Sequence, residues 1–254
     1  MDKYVILVDI DGTIAEVGAR NIKQCIIDEI ERLKQNGHIL VVASGRTYNN
    51  IKCIKGMESF NYIGSMFGNI IFDKNGNYVV TGKPMNKADV CKIAEFSEKI
   101  GESFIYKTMF VDKTFGNDER IRAFNNAIKV SREEFEKDLE NNAVFQMLCV
   151  GQFSENVKEE FKNLEFFQMP GNYFDIIPKE NTKKNIVKYF KEKFPIYKTI
   201  AIGDSENDLA AFENSDISIA MGNSSDEIKA AATYVTKSLS EDGFVYAFKE
   251  MLKL

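Results

Sequence analysis

Several residue types are scarce in this chain, and each shortage argues against a class of protein. Tryptophan is absent, histidine occurs once, at His38, and only four of the 254 residues are proline. A single histidine excludes most histidine-based catalysis and histidine-rich metal sites, so any chemistry must rest on carboxylates, hydroxyls and lysines. The few prolines, together with 44% hydrophobic residues, favour a folded core over a disordered chain.

Cysteine is also sparse, and its spacing argues against a disulfide framework or a zinc site. The four cysteines are scattered and form no C-x-x-C pair: Cys25, Cys53, Cys91 and Cys149. We therefore expect free thiols in a reducing, cytoplasmic compartment. Long apolar runs are missing as well, since Tyr4–Val8 has only five residues before Asp9. That length predicts neither a membrane span nor a secretory signal.

Positive charge is in short supply too. The chain has 33 lysines and arginines against 38 aspartates and glutamates, and its basic residues form no block longer than a doublet. This balance makes a nucleic-acid partner an unfavourable interpretation. A length of 254 residues fits one large domain or two small ones. We expect no nucleic-acid or membrane partner, and the chain could be a monomer or a small homo-oligomer.

Short apolar runs alternate with helical patterns at both ends of the chain. Five runs predict strands that are buried on both faces: Tyr4–Val8, Ile39–Ala43, Tyr62–Ile63, Thr199–Ile202 and Ile217–Ala220. The segment Ile22–Gln35 repeats apolar residues at helical spacing, and Gly37 is a typical helix terminator. A strand, a helix and a strand in this order predict a right-handed crossover and a parallel sheet. The C-terminal part predicts three more helices: Asn181–Phe194, Asp208–Glu213 and Ser240–Leu252.

The middle of the chain has a different pattern. The turn at residues 74–77 separates two apolar segments, 69–72 and 78–81, and predicts a β-hairpin. Beyond it, three predicted helices alternate with β-rich segments. The helices are Lys87–Lys99, Arg132–Glu140 and Glu155–Lys162, and the β-rich segments are Ser103–Val111, Val144–Val150 and Glu165–Met169. We therefore predict an α/β protein in which residues 1–82 and 179–254 form a parallel-sheet core that carries an inserted α+β domain, residues 83–178.

Two acidic residues, Asp9 and Asp11, directly follow the first predicted strand. Alternation along the emerging chain points both side chains to the same side, at the carboxyl edge of the sheet. Two carboxylates this close repel each other, so a divalent cation, a shared proton or a lysine must offset their charge. Gly12 permits the chain to turn away sharply. The alternative is an ordinary surface turn, because Asp-Gly is a common turn pair.

Ser44, Gly45 and Arg46 follow the second predicted strand. A hydroxyl and a glycine at this position suit an anion cradle, because backbone N–H groups and the hydroxyl can both point at a phosphate. A helix N-cap role for Ser44 is an equally good interpretation of the same residues.

A third acidic segment, Asp204–Asp208, follows the predicted strand near the C-terminus. Its carboxylates and the amide of Asn207 suit a hard cation such as Mg²⁺, and Asp204 is the best ligand because it is nearest the strand. Asp208 could instead cap the next helix. Lys183, in the first predicted helical turn before this strand, opposes the helix dipole and so favours a nearby anion. The alternative for Lys183 is a solvated surface charge.

Taken together, these segments resemble the haloacid dehalogenase (HAD) phosphatase superfamily, and within it the Cof-type phosphatases with a large α+β cap of the C2 type. Residues 9–13 are similar to motif one, 44–46 to motif two, Lys183 to motif three and 203–208 to motif four. Residues 220–223 and 241–243 also resemble this subfamily. The resemblance implies a Rossmann-like core. One departure is Ser65–Asn69, where an Asn-Gly-Ala turn is usual, and it bears on the local backbone.

The resemblance also implies a mechanism. Asp9 would be the nucleophile that forms an aspartyl-phosphate, and Asp11 the general acid and base. The cofactor would be Mg²⁺, held by Asp9, the backbone carbonyl of Asp11 and Asp204. The phosphate would be bound by four residues: Ser44, Gly45, Lys183 and Asn207. Asp208 would orient the metal site, and Arg46 would either orient the substrate or connect the core to the cap.

The function that this resemblance implies is Mg²⁺-dependent hydrolysis of small phosphorylated metabolites, such as sugar phosphates or phosphorylated cofactors. Two other functions fit the same residues. One is a phosphosugar mutase, which passes the phosphoryl group to another hydroxyl. The other is a regulatory protein that binds a phosphorylated metabolite without turning it over.

Overall fold

The protein forms two compact units. A computed structural model describes residues 2–115, 127–151, 153, 155–169 and 172–254. The first unit, called the core unit below, comprises Met1–Arg46, Ile51–Thr81 and Thr182–Leu254. The second, called the inserted unit, comprises Thr47–Asn50 and Gly82–Asn181. Within the described ranges, no helix combines the length and the apolar character needed to cross a lipid bilayer.

The core unit is built on one sheet of eight strands in the order β14-β13-β12-β1-β2-β3-β4-β5. Its strands are β1 (Tyr4–Val8), β2 (Ile39–Ala43), β3 (Tyr62–Ser65), β4 (Ile70–Asp73), β5 (Tyr78–Val80), β12 (Lys198–Gly203), β13 (Ile217–Ala220) and β14 (Tyr234–Val235). Neighbours from β14 to β3 run parallel, while β4 and β5 add an antiparallel edge. The α/β fold with a parallel sheet is therefore confirmed, and the predicted hairpin extends that same sheet.

Helices cover both faces of this sheet. They are α1 (Gln24–Gln35), α6 (Lys184–Lys193), α7 (Leu209–Phe212), α8 (Asp226–Ala230) and α9 (Gly243–Tyr246). Helix α2 (Tyr48–Lys52) is divided between the units, and its Ile51 packs in the core of the first. In strand β1, Ile6 and Val8 pack in the cluster that contains α1, while Val5 and Leu7 pack in the cluster that contains α6. Because both faces of the strand are buried, its sequence is a continuous apolar run in which polar and apolar residues do not alternate.

Each predicted helix of the core unit is longer than the α-helix observed there, and two of the differences have a clear cause. Helix α6 begins at Lys184 and not at Asn181, because Lys183 occupies its N-cap position. The predicted helix Ser240–Leu252 is wrong as a single element. Asp242 has a left-handed φ of 56°, which separates a short 3₁₀ turn from α9, and a π-helical turn follows at Ala247–Met251.

The inserted unit contains a six-stranded sheet in the order β10-β11-β9-β6-β7-β8. The strands are β6 (Phe104–Lys107), β7 (Asp112–Phe115), β8 (Ile128–Lys129), β9 (Gln146–Val150), β10 (Leu164–Met169) and β11 (Tyr173–Pro178), and the helices are α3 (Lys87–Lys99), α4 (Arg132–Asn141) and α5 (Glu155–Glu159). The predicted β-rich segment 103–111 contains one strand, β6, and the turn after it, in which the Thr108 N–H donates to the Val111 carbonyl. Strand β11 was not predicted.

The two faces of the inserted sheet differ in character. Phe104 and Tyr106 on β6 point to the face covered by α3 and α4, in a large apolar cluster. Ile105 and Lys107 alternate with them and point to the opposite face, where Ile105 packs in a smaller cluster. Strands β7, β9 and β11 alternate in the same way. The polar residues of this second face include Lys107, Asp112, Gln146 and Asp175.

The chain enters and leaves the inserted unit at neighbouring positions. The Lys83 N–H donates to the Asn181 side-chain oxygen at 2.9 Å, and the Asn181 amide donates back to the Lys83 carbonyl at 2.6 Å. Asn181 is completely buried. These reciprocal bonds hold the two connecting segments side by side.

Candidate active site

The predicted site residues follow strands that end at one edge of the core sheet. Val8 is in register with Ile202 on β12 and with Val42 on β2. The next residue along β1 is Asp9, whose N–H donates to the Ile202 carbonyl at 3.0 Å. Because the carboxyl ends of parallel strands meet at the same edge, Asp9, Ser44 and Asp204 emerge there together.

Lys183 lies at the centre of this site. Its Nζ is 2.6 Å from Asp9 Oδ1 and also 2.6 Å from Asp208 Oδ1. Lys183 is fully buried, so its interpretation as a solvated surface charge is wrong. A buried lysine needs such partners, because an unpaired charge away from water is strongly unfavourable.

The pKa values of Asp9 and Lys183 depend on burial and on the charges of the neighbouring groups. Burial raises the pKa of Asp9 well above its usual range, and the charge of Lys183 opposes that rise. Burial also tends to lower the pKa of Lys183, but Asp208 and Asp9 outweigh it and raise the pKa above its ordinary value. Lys183 therefore remains protonated at neutral pH and counters the carboxylate charge of the site.

Asp208 organises the loop that follows β12. Its Oδ2 accepts hydrogen bonds from the N–H groups of Asp204 at 3.0 Å and Ser205 at 3.1 Å. Gly203 makes room for this carboxylate, because a Cβ atom there would lie 2.2 Å from Asp208 Cγ. The Asp208 side chain therefore binds Lys183 and the backbone of its own loop, and it makes no capping hydrogen bond to the helix that follows.

Asp204 lies in a group of oxygen donors that fits a divalent cation. Carboxylate oxygens of Asp9, Asp204 and Asp208 lie within 4.8 Å of one another. Asp204 Oδ1 is buried and has no hydrogen-bond partner within the described residues. Burial, and next the charge of Asp208, raise the pKa of Asp204 to about 7. Hard carboxylate oxygens and an unsatisfied buried acceptor are what Mg²⁺ coordination uses.

Asp11 has a different partner from Asp9. Arg46 forms a two-pronged pair with it, with Nε 2.8 Å from Oδ2 and Nη2 2.6 Å from Oδ1. The Asp11 side chain is not a member of the three-carboxylate group. Its backbone carbonyl as a metal ligand stays a prediction.

Gly12 is required where it stands for two reasons. Its φ is +81°, which side chains with a Cβ rarely adopt, and a Cβ atom there would lie 2.1 Å from Asp204 Oδ2. The Gly12 carbonyl also accepts a hydrogen bond at 2.9 Å from the side-chain amide of Asn223, whose Nδ2 lies 3.4 Å from Asp204 Oδ2. Our sequence analysis did not predict Asn223 as a site residue, although residues 220–223 contributed to the family resemblance.

The phosphate cradle predicted after β2 is supported by an unusual turn. Ser44 is buried, and its Oγ accepts from the Arg46 N–H at 3.2 Å. Helix α2 begins only at Tyr48, so the N-cap interpretation of Ser44 is wrong. A Cβ atom at Gly45 would lie 2.9 Å from the Phe67 ring. Gly45 thus lets the chain approach that ring closely.

The turn that carries Phe67 departs from ordinary backbone geometry. Met66 and Phe67 have left-handed φ values of 48° and 59°. Their N–H groups donate to the carbonyls of Arg46 at 2.9 Å and Ser44 at 2.8 Å. Two successive non-glycine residues in this region are strained, and such strain concentrates at functional sites. The turn therefore fixes the backbone of the cradle.

Asn207, the last predicted phosphate ligand, lies in the 3₁₀ turn Glu206–Asp208. Its Oδ1 is buried without a hydrogen-bond partner in the described part of the chain. Glu206 is exposed, as a solvated loop residue would be.

The comparisons with known proteins agree with this geometry. A family model for haloacid dehalogenase-like hydrolases matches residues 6–248, almost the whole chain. The chain belongs to the haloacid dehalogenase-like hydrolases. This confirms the family resemblance and makes the protein an enzyme of a hydrolase family.

Relatives with similar sequence identity to this chain are named after different substrates or after none. YkrA of Bacillus subtilis, provisionally named a phosphatase, is 28% identical over 260 residues, which is 99% of this chain and 98% of that protein. The 5-amino-6-(5-phospho-D-ribitylamino)uracil phosphatase YitU of Bacillus subtilis is 26% identical over 270 residues, covering 99% and 98%. A phosphoglycolate phosphatase of Nitrosopumilus maritimus is 25% identical over 258 residues, covering 99% and 97%. Among solved structures, the HAD subclass IIB sugar phosphatase BT4131 is similar with a TM-score of 0.81 at 25% identity, covering 99% and 100%.

Proposed function

We propose that this HAD-like hydrolase is a Mg²⁺-dependent phosphatase that hydrolyses small phosphorylated metabolites through an aspartyl-phosphate on Asp9. The observation that carries the proposal is the buried network in which Lys183 bridges Asp9 and Asp208 at 2.6 Å each. Relatives named as phosphatases support it, as does the similarity to a sugar phosphatase. The substrates would be sugar phosphates or phosphorylated cofactors.

Asp9 is the proposed nucleophile. One of its carboxylate oxygens attacks phosphorus, and the bond from phosphorus to the alcohol oxygen breaks. Lys183, already bound to Asp9 Oδ1, holds that carboxylate in one orientation and leaves Oδ2 for attack. Its charge also stabilises the negative charge that develops on the transferring phosphoryl group.

Asp11 is the proposed acid and base. It gives a proton to the departing alcohol oxygen, then takes one from the water that attacks phosphorus and frees Asp9. In this structure both of its oxygens accept hydrogen bonds from Arg46. Each carboxyl oxygen has two lone pairs, so an oxygen that accepts from Arg46 can still take up and release a proton.

The cation would be held by Asp9, Asp204 and the backbone carbonyl of Asp11, with Asp208 positioning Asp204 through its loop. When bound, Mg²⁺ neutralises the charge between an anionic nucleophile and an anionic phosphate. The phosphate oxygens would be bound by Ser44 and Gly45, through the Ser44 hydroxyl and the backbone at the end of β2.

Asn207 is proposed to complete phosphate binding. Its side-chain oxygen is buried without a partner in the described residues, and its amide nitrogen can donate to a phosphate oxygen. Lys183 supplies the positive charge at the same site. Together these groups bind the three non-bridging oxygens in the way that phosphoryl transfer requires.

The proposed cellular setting follows the sequence analysis. All four cysteines are free in the structure, in keeping with a reducing, cytoplasmic compartment. The partner is a small phosphorylated metabolite, and a monomer or a small homo-oligomer fits the proposal equally.

The proposal is tested with Asp9→Asn. We expect loss of para-nitrophenyl phosphate hydrolysis by at least about a thousandfold, because an amide oxygen is a poor nucleophile. Asp2→Asn is the matched control, since Asp2 is an exposed surface residue, and it should retain full activity. Release of free phosphate, measured with Mg²⁺ present, separates a phosphatase from a mutase. Full activity of purified Asp9→Asn would remove Asp9 from the nucleophile role.

A further inference from the structure

Asn223 makes contacts at both ends of its side-chain amide, and all of them lie within the core unit. Its Nδ2 is 2.9 Å from the Gly12 carbonyl oxygen and 3.4 Å from Asp204 Oδ2. Its Oδ1 accepts a hydrogen bond at 2.9 Å from the Leu239 N–H. An amide nitrogen carries two N–H donors, so these two acceptors use both of them. The side chain therefore joins the loop after β1, the loop after β12 and the 3₁₀ turn Leu239–Glu241.

The contact with Leu239 determines which end of the amide faces Asp204. A backbone N–H can only donate, so the atom of Asn223 that meets Leu239 must be the carbonyl oxygen. The amide nitrogen then faces Gly12 and Asp204, whose oxygens are acceptors. A carboxylate at position 223 would accept from Leu239 equally well, but it would set an acceptor against two acceptors. This position therefore requires an amide.

The backbone on either side of Asn223 is held by neighbouring segments. The Met221 N–H donates to the Gly203 carbonyl at 2.9 Å, and the Gly222 N–H donates to the Lys237 carbonyl at 3.0 Å. A Cβ atom at Gly222 would lie 2.6 Å from the backbone of the segment that carries Lys237, so only glycine permits this close approach. The backbone thus sets where the Asn223 amide lies, although the residue itself is exposed to solvent.

The two carboxylate oxygens of Asp204 have different surroundings. Oδ2 is contacted by Asn223 and borders Gly12, where a Cβ atom would lie 2.1 Å from it. Oδ1 is buried and has no hydrogen-bond partner among the described residues. When one oxygen of a carboxylate is held, the direction of the other is fixed as well. The oxygen left without a partner is the one that fits a cation.

We propose that Asn223 is a positioning residue, which holds Asp204 Oδ2 and the Gly12 carbonyl and so directs Asp204 Oδ1 towards the cation. This inference rests on the proposed function and adds to it a residue that acts through a metal ligand. An amide suits this role, because it donates hydrogen bonds to the ligand without adding negative charge. Removing a group that orients a metal ligand typically lowers metal affinity or activity by about 10- to 100-fold.

The first test is Asn223→Ala, which removes the amide and leaves the backbone bonds of Met221 and Gly222 in place. The Mg²⁺ concentration that produces half of the full rise in melting temperature should increase by about tenfold. This measurement needs no substrate, so it reports cation binding alone. The Mg²⁺ concentration for half-maximal hydrolysis of para-nitrophenyl phosphate should increase by a similar factor. A purely structural role would instead lower the melting temperature without Mg²⁺ and leave both concentrations unchanged.

The second test is Asn223→Asp, which keeps the shape of the side chain and the acceptor for the Leu239 N–H. It replaces the N–H₂ donor with an oxygen that faces the Gly12 carbonyl and Asp204. Because the carboxylates at positions 223 and 204 repel each other, kcat at saturating Mg²⁺ should fall by at least about tenfold. A wild-type kcat in Asn223→Asp would mean that only the contact with Leu239 matters, and it would overturn the proposal.

Asn214→Ala is the matched control for the loss of an asparagine amide. The Asn214 amide donates to the Ala210 carbonyl at 2.8 Å, so its removal deletes a comparable hydrogen bond to the backbone. The substitution leaves the contacts of Asp204 and Gly12 in place. We expect the two Mg²⁺ concentrations and kcat to match those of the wild-type protein.

The results for cation binding and for hydrolysis are independent of each other. If the wild-type protein hydrolyses para-nitrophenyl phosphate but Asn223→Ala binds Mg²⁺ as Asn214→Ala does, the role of Asn223 is overturned and the phosphatase stands. If Asn223→Ala weakens Mg²⁺ binding but the wild-type protein hydrolyses no phosphate ester, the proposed function is wrong and the positioning of Asp204 stands. If Mg²⁺ changes neither the melting temperature nor the rate of the wild-type protein, both are overturned.

Discussion

Each unit of this protein buries one lysine beside two aspartates, and the two groups differ in how tightly they are paired. In the core unit, Lys183 touches both Asp9 and Asp208 at 2.6 Å. In the inserted unit, Lys107 lies 3.9 Å from Asp175, and the two aspartates accept hydrogen bonds from the amides of Gln146 and Asn50. The core group is therefore held together by close ionic contacts, whereas the group in the inserted unit is held mainly by neutral amides.

The largest effect should come from removing each lysine in turn. Lys183→Met leaves Asp9 and Asp208 buried without a counter-charge, and we expect it to destabilise the protein by about 3–5 kcal/mol and to abolish turnover. Lys107→Met should destabilise by clearly less, because its ion pair is longer. Urea denaturation measures both free energies of unfolding. Equal losses of stability would contradict the contrast between the two groups.

A second, smaller effect tests how closely the core site is packed. Gly12→Ala places a Cβ atom 2.1 Å from Asp204 Oδ2. We expect activity to fall about a hundredfold, because displacing the Asp204 carboxylate, the proposed metal ligand, by a fraction of an ångström misaligns the site. Gly18→Ala is the matched control, since Gly18 has nearly the same φ of +80° but nothing within 4 Å of its Cβ position.

Because both glycine substitutions carry the same left-handed strain, the difference between them isolates the contact with Asp204. The melting temperature and the rate of para-nitrophenyl phosphate hydrolysis are compared for the two variants. If Gly18→Ala lowered activity as much as Gly12→Ala, strain alone would explain the loss.

The last test concerns the pH dependence of stability that Asp204 contributes. Its pKa is about 7 in the folded protein without a cation and near 3.8 when unfolded. Between pH 3.8 and 7 the Asp204 carboxyl is protonated in the folded protein and ionised in the unfolded chain. Its contribution to the free energy of unfolding is therefore fully present below about pH 4 and is lost as the pH rises through 7. The raised pKa of Asp9 acts in the same direction.

Mg²⁺ binds the deprotonated carboxylate, so it should raise the melting temperature more at pH 8 than at pH 5.5. Asp204→Asn should reduce that difference. Asp216→Asn is the control, because hydrogen bonds from Thr199 outweigh burial and lower the pKa of Asp216. A Mg²⁺-induced shift that is equal at both pH values would contradict the role of Asp204 as a ligand.

The sequence predicts an element or a site residue correctly where a few adjacent residues determine the local structure. The buried strands and the acidic residues after β1 and β12 were predictable, because alternation and strand ends are local patterns. Helix α3 was predicted with its observed bounds, since Asn86 caps it and its apolar spacing is regular. The same logic identified Lys183 as a residue that needs an anion.

Other features depend on contacts that no local pattern records. Strand β11 escaped prediction because Asp175 and Pro178 break its apolar character, and Asp175 is tolerated only through Gln146 and Lys107 from other strands. The left-handed turn begins at two non-glycine residues, Met66 and Phe67, and only its third residue, Gly68, is the glycine that usually indicates such geometry. The polar group of Lys107, Asp112, Gln146 and Asp175 is assembled from four strands, so it becomes visible only when the sheet is formed.

The reciprocal bonds between Lys83 and Asn181 have a consequence for how such an enzyme can change. They hold the two ends of the inserted segment of about 100 residues next to each other. This segment can therefore be lengthened, shortened or exchanged without disturbing the eight-stranded sheet. Exchanging only the segment Gly82–Asn181 for that of another protein would still be incomplete. Residues 47–50 belong to the same unit and would have to be exchanged together with it.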